Sequence, residues 1–210
     1  MIKVVGTLHS FHRDSSSCAY EHVYGHIASF KPDYIGVEIR PEDMGRGDDY
    51  LRRFYPEEMI ALKNRKVPCM DVFGFDWLGK SIENLEIPAD YFKTLPVKRL
   101  ENEIETDPSV LAPYQGLMAI QQEKYAKIID KTMEEINDGA YDALNLKFYE
   151  YLETAFRNTK YRELGEAYRA RNARICQNVL DAVRKYGRDA KIVIVTGLDH
   201  KAYIENSLAQ

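Results

Sequence analysis

The sequence predicts an α/β fold: a mainly parallel central sheet with flanking helices and a large helical insertion before the last strand. Three observations carry this. Four short segments, residues 2–5, 34–39, 67–72 and 191–196, are apolar, rich in β-branched side chains and bounded by turn formers, the pattern of buried strands. Between the first two, Tyr20, Val23, Tyr24, Ile27 and Phe30 recur at helical spacing. A strand, a helix and a strand in that order make a right-handed crossover, which demands parallel strands. From residue 80 to 187 no strand pattern appears, while Gln121, Tyr125, Ile128, Thr132 and Ile136 form one helical face and Phe148, Tyr149, Leu152 and Phe156 another.

Taken in order, Met1-Ile2-Lys3-Val4-Val5-Gly6 is too short an apolar stretch for a signal peptide and reads as the first strand. Serines ahead of Tyr20 are capping candidates for the crossover helix, and Lys31-Pro32 follows it. Pro88, Pro96, Pro108 and Pro113 divide the next stretch into short helices or loops suited to a lid. A long helix over 163–186 ends at Gly187 and delivers the chain to the last strand. At 210 residues the chain fits one domain, 1–210, with the helical insertion at about 80–162.

Composition narrows the function classes. Hydrophobic residues at 45% and charged residues at 30% indicate a packed core, and no apolar run approaches the ~18 residues of a membrane span. A formal charge of −4 gives no global field for nucleic acid. Cys18, Cys69 and Cys176 are widely spaced, with no C-x-x-C pair. Neither a disulfide framework nor a thiolate zinc site is suggested, and a reducing, cytoplasmic location is expected. P-loop, dinucleotide fingerprint and G-x-S-x-G nucleophile elbow are all missing from the sequence.

The candidate chemistry lies at strand ends. Gly6-Thr7-Leu8-His9 follows the first strand and Gly197-Leu198-Asp199-His200 the last. In a parallel sheet both motifs fall on the carboxyl edge, where ligands bind; there a glycine permits a sharp turn and the histidine projects over the strand ends. Glu38, in Gly36-Val37-Glu38-Ile39-Arg40-Pro41, is an acid ending an apolar strand. Its burial needs a cation, a metal or several donors, and an ion pair with Arg40 or Arg171 that pins the strand would suffice. Asp71 is a second strand-end candidate, and Asp76 a helix cap. In the late helix Arg171, Ile175 and Asn178 share a stripe, with Arg169 and Arg174 elsewhere around it. His22 and His26 stand one turn apart without an accompanying H-E-x-x-H glutamate, and read as a solvated face, with His12 as a loop residue.

The order Gly6-Thr7-x-His9, Glu38 in a short apolar strand, Arg171-Asn172 in a late helix and Gly197-x-x-His200 resembles the Tiki/TraB/PrgY superfamily, related to erythromycin esterases and ChaN-like proteins. The resemblance implies an α/β core with an inserted helical region and a metal-dependent hydrolase acting on peptides or other small amides and esters. It places His9, Glu38 and His200 as ligands to Mn, Co, Fe or Zn, with Arg171 or Arg40 stabilising an oxyanion or holding a substrate carboxylate, and Asn172 orienting one of these groups. The alternative is a non-catalytic protein that binds a peptide, haem or another anionic ligand in the same pocket, with His9 as the axial ligand to haem. A small-molecule or peptide partner is expected, with no nucleic acid and no membrane.

Overall fold

The computed structural model of the chain describes residues 1–187 and 189–210. Strands β1 (Ile2–Thr7), β2 (Tyr34–Val37), β3 (Asp71–Gly74) and β4 (Ile192–Gly197) form one sheet in the order β1-β4-β2-β3, with every pairing parallel. The predicted α/β architecture is therefore present. The crossover helix α1 (Tyr20–Ser29) joins β1 to β2, and β4, last in sequence, fills the gap between them. Helices α2 (Asp48–Leu51) and α3 (Glu57–Lys63) lead to β3; α4 (Tyr91–Thr94), α5 (Pro96–Ile104), α6 (Leu111–Ala126), α7 (Met133–Ile136) and α8 (Ala140–Ala155) make up the helical block. The long α9 (Arg162–Tyr186) then returns the chain to β4, and α10 (Leu198–Leu208) closes it.

Strand alternation distributes the core to both faces of the sheet. Val5, Ile35, Val37, Val193 and Val195 pack with Val23 and Ile27 of α1 and Ile60 and Leu62 of α3. Val4, Ile192 and Ile194 pack with Ile175 and Val179 of α9 and Ile204 of α10. A separate apolar cluster, including Leu100, Leu117, Tyr149, Leu152, Phe156 and Leu164, holds the helical block together. Among the described residues no helix is long and apolar enough to cross a membrane.

Several element boundaries differ from the sequence reading, among them that of β2, which ends at Val37 and not at 39. β3 begins at Asp71, opposite Tyr34, so Asp71 stands at the amino end of its strand and not at the functional edge. The backbone of residues 67–70 is committed elsewhere: Pro68 has no N–H, and Met70 N donates to Asp33 O at 2.8 Å. The helical face drawn through 121–136 is also interrupted, because α6 ends at Ala126 and Asp130 adopts φ 56° before α7. α6 closes in tightened turns, with Lys127 N donating to Lys124 O at 3.0 Å and Ile128 N to Tyr125 O at 3.1 Å, before left-handed Asp130 redirects the chain.

Candidate functional site

Sheet register explains why distant residues meet. Val37 ends β2 opposite Val195, so Glu38 falls level with Thr196 and Gly197 on the central strand β4. There Glu38 Oε2 accepts from Gly197 N at 2.6 Å and Thr196 Oγ1 at 2.8 Å. On the other side, Thr7 ends β1 opposite Gly197, and His9 follows in a left-handed conformation, φ 51°. That backbone costs a non-glycine residue about 1 kcal/mol or more. It lays the ring against Gly197, where an added Cβ would lie 2.5 Å from His9 Nε2. Neither Gly6 nor Gly197 has positive φ, so these glycines serve close packing and not the sharp turn expected of them. A Cβ on Gly6 would meet Leu198 Cδ2 at 2.4 Å.

His200, in the first turn of α10, places Nε2 3.5 Å from Glu38 Oε1. Its Nδ1 donates to Asn172 Oδ1 at 2.5 Å. From the same turn of α9, Arg171 Nη2 donates to Glu38 Oε1 at 3.2 Å and to Asp76 Oδ1 at 2.9 Å. The predicted α9 stripe continues through buried Ile175 to Asn178, which donates to Phe75 O at 3.0 Å. Arg169 and Arg174 pair instead with Glu153 and Glu83 at the surface. Asp76, expected as a cap, is a buried partner of Arg171.

Glu58 was not singled out in the sequence. It is fully buried on α3, and its Oε1 accepts from His9 Nδ1 at 2.8 Å and Thr7 Oγ1 at 3.0 Å. Its Oε2 is buried with no partner among the described residues. The signal available was an acid one turn before Leu62 on the core face of an otherwise apolar helix.

The electrostatics follow from this packing. Burial pushes the Glu38 carboxyl up, but the imidazoles of His200 and His9, the Arg171 guanidinium and the Gly197 N–H outweigh it and hold it at about 2. Burial lowers the His200 pKa below its ordinary value despite the nearby Glu38 carboxylate. Burial also pulls His9 down, yet the Glu58 hydrogen bond and the charges of Glu38 and Glu58 prevail and raise it. Arg171 is desolvated, and the charges of Asp76 and Glu38 more than compensate, so it stays cationic.

Arg40 does not join the cluster. Ile39 N donates to Val37 O at 2.7 Å in a tight turn, so strand alternation ends at Val37 and no longer aims Arg40 with Glu38. The buried guanidinium is consumed by Asp43 at 2.7 Å, Ile82 O at 2.8 Å and Leu85 O at 2.9 Å, tying down the segment after β3. His12 is buried, not a free loop residue: it accepts from Leu8 N at 2.7 Å and donates to the Cys18 carbonyl. His26 pairs with Glu134 at 3.1 Å, and His22 accepts from Ala19 N.

The cluster can be tested against the implied divalent metal. With each Nδ1 bound to an acceptor, His9 and His200 in their neutral form carry the lone pair on Nε2, the tautomer that such Nδ1 acceptors impose on metal-binding imidazoles. Glu38 Oε1 is the carboxylate atom beside His200, shared with Arg171. The donor chemistry fits a cation, although among the described residues no three His, Cys, Asp or Glu side chains already stand as a ligand set. Comparison of the chain with protein-family models, with curated proteins and with solved structures brought no match.

Proposed function

We propose that this chain is a hydrolase of peptide or other small amide or ester substrates, in the manner of the Tiki/TraB-like proteins it resembles. The observation that carries the reading is a pair of imidazoles with Nδ1 tethered by Glu58 and Asn172, one ring packed on Gly197 and the other facing Glu38. Tethering fixes ring orientation and tautomer before substrate arrives, which is where catalytic residues gain most. Burial keeps His200 Nε2 unprotonated near neutral pH. Glu38 stays ionised beside it and favours any positive charge that develops there. Arg171, fixed by Glu38 and Asp76, is the cation available to a substrate carbonyl or carboxylate. A divalent cation bound by His9, Glu38 and His200 would supply an acidified water and a polarised carbonyl. We further place the protein in a reducing compartment such as the cytoplasm, since Cys18, Cys69 and Cys176 are free thiols.

A second reading is favoured by one specific observation: both Glu38 oxygens are already engaged. On that reading the Glu38–Arg171 pair pins β2 to α9, and the cleft binds a ligand without turnover. The deciding experiment assays p-nitrophenyl esters and aminoacyl p-nitroanilides with chelator and after return of Mn²⁺, Co²⁺ or Zn²⁺, for the parent and for Glu38→Gln, alongside thermal melts. A loss of rate of about 10-fold or more with the fold retained supports hydrolysis. Absence of turnover under every condition, or a lower melting point at unchanged rate, supports the structural pin.

A further inference from the structure

Asp76, the carboxylate that holds Arg171, is followed at once by Trp77, Leu78 and Gly79, which turn away from the cluster and line a cavity of about 520 Å³. Tyr91, Phe92, Leu95 and Val97, from the proline-punctuated segment, form its other wall. Its floor is the α9 face carrying Ala167, Ala170 and Arg171. The volume lies within the range of small-molecule sites, and the wall is largely aromatic and aliphatic, with Ser81, Lys98, Glu101 and Tyr168 as further polar members of the lining. The two alanines leave the room that a longer side chain on α9 would fill.

Trp77 Nε1 and Arg171 Nε are buried with no hydrogen-bond partner among the described residues. Arg171 is cationic and lines the cavity at the end held by Asp76. A ligand that complements this site therefore has a bulky apolar body and an oxygen acceptor at the Arg171 end. Arg171 is the residue shared by the cavity and the Glu38–His200 cluster, whose other members do not line the cavity, so a ligand meets the cluster only at its Arg171 end.

We infer that this cavity is the acyl pocket of the site: it receives the medium-chain or aryl-alkyl acyl group of an ester or amide, with the acyl carbonyl oxygen at Arg171. The assignment of an acyl role rests on the hydrolase reading above; the pocket's affinity for an apolar carboxylate does not. Trp77 is the sole tryptophan of the chain and lines the pocket, so it reports occupancy directly.

The test uses the full chain and two readouts. Trp77 emission is titrated with 4-phenylbutyrate and octanoate, with acetate as the control, and hydrolysis of p-nitrophenyl octanoate is compared with that of p-nitrophenyl acetate. Both measurements are repeated with Ala170→Phe, a substitution at an exposed helical position that puts a ring into the cavity. A saturable change of emission with the long acids alone, weakened about 10-fold or more by Ala170→Phe, is expected. So is an octanoyl preference of at least about 10-fold in kcat/KM that the same substitution collapses. Saturable binding with no ester turned over keeps the pocket and overturns the hydrolase reading. Turnover that ignores acyl length, with no response of Trp77, overturns the pocket and leaves hydrolysis standing. Binding of long acids that is indifferent to Ala170→Phe places them elsewhere and overturns the assignment.

Discussion

The His9 ring is held by two contacts that its own G-x-x-H motif does not contain, the Glu58 carboxylate on Nδ1 and Gly197 beneath Nε2. This gives a substitution that separates function from folding. Gly197 has φ −58°, which any residue adopts, so alanine there meets no backbone strain. Its Cβ meets only the far end of the His9 side chain, at 2.5 Å, so the ring, about one-third exposed, must shift off Gly197 against its Nδ1 bond to buried Glu58. Gly197→Ala is therefore expected to lower hydrolysis by about 10-fold or more with the fold retained, at a stability cost of no more than about 1–3 kcal/mol from the strained Glu58 bond. Steady-state kinetics and a urea melt on the same preparation check this; equal activity in the two proteins would remove the His9–Gly197 contact from the mechanism. At this scale the sequence named His9, Glu38 and His200 because each is a polar group next to an apolar strand and Arg171 because it shares a helical stripe with Ile175 and Asn178, while Asn172 was named only through the resemblance to the Tiki/TraB-like proteins. It missed Glu58 because adjacent acids, Glu57 and Glu58, in the first turn of a helix look like ordinary dipole chemistry. It misplaced Arg40 because adjacency to Glu38 says nothing of where five guanidinium donors are spent.

Periodicity and crossover topology were legible in elements, but the contacts that lock the helical block onto the site were not, since they join residues far apart in sequence. The first turn of α10 is the clearest case. Asp199 Oδ1 accepts from Lys124 Nζ of α6 at 3.0 Å and from Tyr141 Oη of α8 at 2.6 Å, while Asn145 Nδ2 donates to Asp199 O at 2.8 Å. Lys124 is itself buried, its ammonium 4.5 Å from the Phe148 ring centre and 5.1 Å from that of Tyr141. The insertion thus fixes the turn that carries His200. Because both donors converge on one carboxylate oxygen, their contributions should not add. Lys124→Met and Tyr141→Phe are each expected to cost about 1–3 kcal/mol. The double variant should depart from the sum by at least about 0.5 kcal/mol in a urea-melt cycle. Strict additivity would mean that the two helices grip α10 independently. The same remoteness explains the edge of the sheet, where Asn137 of the insertion bonds both Gly6 N at 2.7 Å and Gly6 O at 3.1 Å and so covers part of β1.

Across the whole molecule, the parallel α/β class could be read from four apolar segments. Their spatial order could not, and that order is what makes the site. Only with β4 between β1 and β2 do the ends of three strands bring Glu38 and both histidine motifs together. The result is a buried charge network in which the ionised Glu38 is stabilised by groups from β4, α9 and α10, and this has a pH signature for the fold. Arg171 remains charged at any accessible pH, so the Glu38–Arg171 pair breaks on acidification only by protonating Glu38. The folded-state value of about 2 lies below the ordinary 4.5. A depressed carboxyl contributes stability that is present above its unfolded value and is lost as pH falls through the folded one. In chelator-treated protein, the stability gap between the parent and Glu38→Gln should be on the order of 3 kcal/mol near neutral pH. It should begin to close below about pH 5 and nearly vanish near pH 2. Urea melts at several pH values measure the gap directly. A gap that stays constant across this window would show that the carboxylate charge contributes nothing to the fold, and would leave the three-element convergence on Glu38 to be accounted for by its ligand alone.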